Sequence, residues 1–107
     1  MISEYVLFDV PRHMTREQVV EGMREVAPRW RANPDLIRKT FVYDADSSQA
    51  GAFYLWKNRQ AAQQAHGDAW RRGILDKYGS VPSVRYFQTP LVVDNVLQDT
   101  IEETPPA

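Results

Sequence analysis

The stretch "SEYVLFDV" at residues 3–10 is rich in β-branched and aromatic residues and predicts a first strand. Thr15 followed by Gln18 fits a capping box, and Val19, Met23, Val26, Ala27 and Trp30 then recur at helical spacing. Pro28 lies inside that pattern and is expected to kink or end the helix near it. "NPD" at 33–35 breaks the chain, "LIRKTFVYD" predicts a second strand, and "ADSSQAG" is rich in turn residues. "AGAFYLWK" predicts the third strand, making a β-hairpin of residues 36–57. Asn58 is a suitable N-cap for a second helix, with Gly67 and Gly73 as candidate interruptions and Gly79 as its stop. "SVRYFQTP" predicts a fourth strand, and "LVVDN" a short fifth.

The order β-α-β-β-α-β is the split βαβ arrangement of a ferredoxin-like α+β fold, with two helices over one face of an antiparallel sheet. The opposite face of such a sheet normally meets water. Here one hairpin register holds Phe41, Tyr43, Tyr54 and Trp56, and the other holds Val42, Phe53 and Leu55. The fourth strand repeats this, with Val84 and Tyr86 set against Phe87. A sheet apolar on both sides needs a second cover, and a two-fold copy of itself is the simplest one. A homodimer is therefore expected.

At 107 residues the chain is expected to be one domain over 1–95, followed by a polar tail over 96–107. A net charge of −1 and a pI near 6.1 leave no electrostatic footprint for nucleic acid or an anionic membrane. The absence of cysteine excludes disulfides, thiolate chemistry and cysteine-ligated zinc. "MISEYVLFDV" is too short and acidic for a signal peptide, and no apolar run reaches membrane-spanning length. A cytoplasmic location is expected.

"LIRKTFVYD", "AGAFYLWKNRQAA" and "YGSVPSVRYFQTPLVVDN" together resemble the dimeric α+β barrel proteins, most closely the YdhR-type monooxygenase family. The resemblance covers about residues 34–95 and is carried by strand and turn residues. It implies paired ferredoxin-like subunits, each with a pocket between sheet and helices. The wider superfamily includes cofactor-independent oxygenases of polyketide quinols and anthrones, muconolactone isomerases, haem-using enzymes and aldoxime dehydratase-like proteins, as well as members without known activity. Its oxygenases often carry a second-helix histidine nine residues after a strand-three tryptophan. In this chain Ala65 holds that place after Trp56, and His66 follows it.

His66 is the candidate catalytic base, because an imidazole titrates near neutrality and lies here on an alanine-rich helix in "AAQQAHGDAW". The bland alternative is a core-edge histidine bonded to backbone. Tyr43, Tyr54, Trp56, Trp70 and Tyr86 are candidates to line a flat substrate pocket, or else simply pack the core. Arg38 and Arg85 lie mid-strand, where each either stabilises a phenolate or pairs across the dimer with Asp44 or Asp94. Lys39 and Lys57 read as solvated strand-end charges. Two distant histidines make a conventional metal site unexpected, and no phosphate-binding or nucleophile-elbow motif occurs. The leading expectation is a homodimeric monooxygenase that needs no cofactor and acts on a small aromatic, quinol or polyketide-like substrate. A proton-transfer isomerase or lyase, or a non-catalytic binder of hydrophobic ligands, are the alternatives.

Overall fold

The computed structural model describes residues 1–103, in which the chain forms β1 (Ile2–Asp9), α1 (Arg16–Arg31), β2 (Leu36–Asp44) and β3 (Gln49–Trp56). It continues through α2 (Arg59–Ala65), α3 (Asp68–Tyr78), β4 (Ser83–Gln88), β5 (Leu91–Asp94) and β6 (Asp99–Glu102). The main sheet has the order β2-β3-β1-β4 with every neighbour antiparallel, the topology expected of a split βαβ unit. All three helices lie on one face of it.

Local chemistry sets the element boundaries. Thr15 accepts a bond from the Gln18 amide while the Gln18 side chain returns to the Thr15 amide, so both halves of the capping box form. Pro28 does not end α1, which continues to Arg31. Pro28 and Arg24 are both exposed, so the carbonyl that proline leaves without a partner is on the solvent side. This continuation carries Trp30 inward to 5% exposure. Asn58 caps α2 through the Ala61 amide at 2.8 Å, and the predicted second helix breaks at His66–Gly67 into α2 and α3. Gly79 ends α3 with φ of 72°, a left-handed conformation that glycine adopts without strain.

The sheet alternates as its period of two requires. Ile2, Glu4, Val6 and Phe8 of β1, Ala50, Ala52, Tyr54 and Trp56 of β3, and Val84 and Tyr86 of β4 face the helices. In β2 the pairing runs Leu36 to Trp56, then skips Ile37 and resumes with Arg38 to Leu55 and Lys39 to Tyr54. This irregularity shifts the alternation by one residue. Lys39, Phe41 and Tyr43 therefore face the helices, whereas Arg38 faces the opposite side.

The last strands depart from the expectation of a polar tail beginning at residue 96. Asp99–Glu102 pairs with β5 as a two-stranded ladder, and residues 104–107 lie outside the described part. The turn explains the pairing: the Asp94 carboxylate accepts the Val96 and Leu97 amides, each at 3.0 Å, and Gln98 takes φ of 54°. The β2–β3 turn is built alike, with Asp44 accepting the Asp46 amide and Ser47 hydroxyl and Ser48 at φ of 54°. These bonds hold both carboxylates below their ordinary range, chiefly through the Ser47 hydroxyl for Asp44 and the Leu97 amide for Asp94. Among the described residues no helix is long and apolar enough to cross a membrane.

Gly51 is a point of close approach, because a Cβ there would overlap the Val6 carbonyl of the neighbouring strand. Gly51→Ala is expected to force β1 and β3 apart and cost about 2–3 kcal/mol. Urea unfolding followed by circular dichroism measures this, and an unchanged midpoint would refute the close approach.

Candidate active site

A cavity of about 670 Å³ separates the helices from the sheet. Small residues create it. Ala61 and Ala62 are buried and let α2 pack closely on the sheet, while Ala65, Ala69, Gly67 and Gly73 leave the adjoining space unfilled. Trp30, Phe41, Tyr54 and Trp70 supply aromatic walls, and Arg29 and Lys39 add basic groups. The volume lies within the usual range for small-molecule sites, roughly 300–1,000 Å³.

Glu4 lies behind this cavity with no exposed surface. Trp56 donates its indole N–H to Glu4 Oε1 at 2.9 Å, and His66 Nδ1 lies 2.8 Å from the carboxylate. A buried carboxylate requires such donors, and these come from β3 and the α2–α3 junction. Tyr86 is pushed up to about 12, first by burial and then by the negative charge of nearby Glu4. Burial likewise raises Tyr54, with Glu4 adding to the effect.

The predicted site residues fall into separate places. Tyr54 and Trp70 line the cavity, whereas Trp56 binds Glu4, Tyr86 packs against the main core cluster, and Tyr43 packs beside Val10, Val19 and Ala50. Arg38 pairs with Asp94 of its own chain at 2.8 Å, on the far side of the sheet. Arg85 lies over the Phe87 ring at 4.8 Å, also away from the cavity. His66 is a correction of another kind. Its side chain is sealed, it is absent from the cavity wall, and its neighbours are Trp70, Tyr54 and Trp30 at ring separations of 4.2, 4.7 and 5.3 Å. His66 Nε2 is buried without a hydrogen-bond partner among the described residues.

Two residues escaped the sequence reasoning. Glu4 shares the inward register of Ile2, Val6 and Phe8, and this was the available signal. Lys39 is not the solvated charge expected, because the β2 irregularity turns it into the cavity. Burial first, and Arg29 second, lower its pKa from 10.5 to about 6, against an opposing pull from Glu4.

A family model described as "Putative mono-oxygenase ydhR" matches residues 6–80. The chain belongs to that family. Among solved structures, it is similar to a "putative antibiotic biosynthesis monooxygenase" from Deinococcus radiodurans, with 9% identity, a TM-score of 0.68, and 88% of this chain and 97% of that one covered. SnoaB, a cofactor-independent oxygenase from Streptomyces nogalater, gives 16% identity and a TM-score of 0.61 over 82% of this chain and 91% of its own. The ActVA-Orf6 monooxygenase from Streptomyces coelicolor, solved with nanaomycin D, gives 16% identity and a TM-score of 0.58, with 82% and 86% covered. At these identities the likeness shows a shared fold. No curated protein matches the chain.

Lys39 also makes stability depend on pH. Its folded pKa of about 6 lies below the unfolded 10.5, so the folded chain holds fewer protons and loses stability as pH falls through that window. Lys39→Met is therefore expected to melt above the wild type by a margin that widens from pH 10.5 down to about 6 and then levels off. Thermal unfolding of both proteins across this range is the measurement, and a constant margin would contradict the assignment.

Proposed function

We propose that this protein is a cofactor-independent monooxygenase acting on a flat phenolic, quinol or anthrone-like small molecule. The aromatic-walled cavity is the observation that carries the reading, and membership of a monooxygenase family supports it. Trp30, Phe41, Tyr54 and Trp70 hold the substrate ring and exclude water from it. Removal of an acidic proton by a basic group on the wall leaves an electron-rich anion. That anion gives one electron to O₂, the resulting radical pair joins carbon to oxygen, and loss of water leaves a carbonyl. The balance is one CH₂ and one O₂ consumed for one C=O and one H₂O formed. Catalysis on this scheme rests on positioning and desolvation.

In this reading His66 is a positioning residue. Held by Glu4, it backs Tyr54 and Trp70 and fixes the angle of the cavity wall. The working unit is proposed to be a homodimer, since Tyr5, Phe53 and Phe87 form an exposed aromatic cluster on the outer sheet face at 44%, 41% and 37% exposure.

Oxygen-electrode traces with anthrone or a hydroquinone and metal-free protein test the proposal. Uptake is expected, with label from ¹⁸O₂ in the product carbonyl. Trp70→Ala is expected to lower kcat/KM by about tenfold or more, because the ring loses its wall. Turnover without O₂, with solvent deuterium entering the product, would replace this reading by an isomerase. Tight binding without turnover would replace it by a carrier of hydrophobic ligands.

A further inference from the structure

The cavity wall carries a lysine in an unusual setting. Lys39 Nζ stands 3.9 Å from the ring centroid of Trp30, 4.1 Å from that of Phe41 and 4.7 Å from that of Tyr54. No carboxylate pairs with it among the described residues. Surface lysines normally extend into water, whereas this one ends among the rings proposed to hold the substrate. We propose that Lys39 is the catalytic base of the cavity: its neutral amine takes the acidic proton of a phenolic or enolic substrate, and the ammonium so formed holds the resulting anion against the aromatic walls.

The step is a single proton transfer. The substrate O–H bond breaks, an N–H bond forms on Nζ, and the electron pair stays on the substrate oxygen. Three ring faces then meet the new cation, which offsets part of its desolvation. The surrounding charges are disposed for this. Arg29, from α1, lies over Trp30 at 4.9 Å and discourages a second resting cation, so the amine remains free until a proton is delivered with its counter-anion. Glu4 from β1 pulls the other way, Tyr54 from β3 is kept neutral, and Asp68 at the start of α3 lines the same cavity. Lys77 and Tyr78, from the end of α3, line it too. A lowered lysine pKa near 6 agrees with a free amine at neutral pH.

The inference rests on reading the cavity as a phenol site, and its test uses no oxygen, so it can fail or succeed independently of the oxygenase reading. The probe is 2-hydroxyanthraquinone, whose visible absorption shifts to the red when the phenol ionises. Titrated with wild-type protein at neutral pH, it is expected to show the phenolate band while releasing no proton to the buffer, as read by calorimetry in buffers of different ionisation enthalpy. Lys39→Met is expected to bind the neutral form without that band. Lys39→Arg carries a fixed charge, so it is expected to bind the phenolate while releasing about one proton per ligand.

Proton release by the wild type would overturn the proposal, since Lys39 would already be charged. An equal phenolate band in Lys39→Met would also overturn it, because Arg29 would then suffice, as would failure of the wild type to bind the probe. If Lys39→Met does not fold, the contrast between wild type and Lys39→Arg decides. With a turned-over substrate, both variants are expected to lose about a hundredfold in kcat/KM. The wild-type pH profile should fall below about 6.

Discussion

The buried carboxylate of Glu4 is the constraint from which the remaining arrangement follows. Stripping a carboxylate of water is tolerable only when donors replace it, and here an indole and an imidazole do so. Those groups belong to β3 and the α2–α3 junction, so one side chain on β1 ties two further parts of the fold to itself. Trp56 is thereby fixed beneath the helices, nearly parallel to Tyr54 at 13° and edge-on to Trp30 at 73°. The cavity inherits its wall angles from this network.

Next to this tightly bonded cluster the protein is hollow. Alanine and glycine appear where larger side chains would fill the space under α3, and a single skipped residue in β2 turns an amine into it. Glu4 and Lys39 are thus opposites on one face of the sheet. The acid is held by an indole and an imidazole, and the amine, among the described residues, meets aromatic faces and no paired carboxylate. A partly buried amine and an electron-rich wall are what this hollow offers to a flat ligand.

Much of the fold was legible because β-branched and aromatic strand composition, the Thr15 capping box, Asn58 and the Gly67 break are local signals that the tertiary structure obeys. The pairing of Arg38 with Asp94 was legible as chemistry, although it closes within one chain. The candidate site was harder to read. Strict alternation from Leu36 sends Arg38 inward and Lys39 outward, and the irregularity at Ile37 reverses both. Glu4 was hidden by the ordinary presumption that a glutamate on an early strand meets water. β6 was missed because all four of its residues are exposed, leaving no apolar pattern. Its turn nevertheless repeats the aspartate-led turn of the β2–β3 hairpin.

α3 buries none of its own side chains to the degree that the sheet residues do, since it roofs an empty space. A helix held by so little packing has a small free-energy gap to local opening. The break at His66–Gly67 uncouples it from α2, whose Ala61 and Ala62 are firmly seated. The roof therefore has a helix break at one end and a missing core beneath it. Any ligand that fills the hollow supplies that core, so entry to the site and consolidation of the fold become one event.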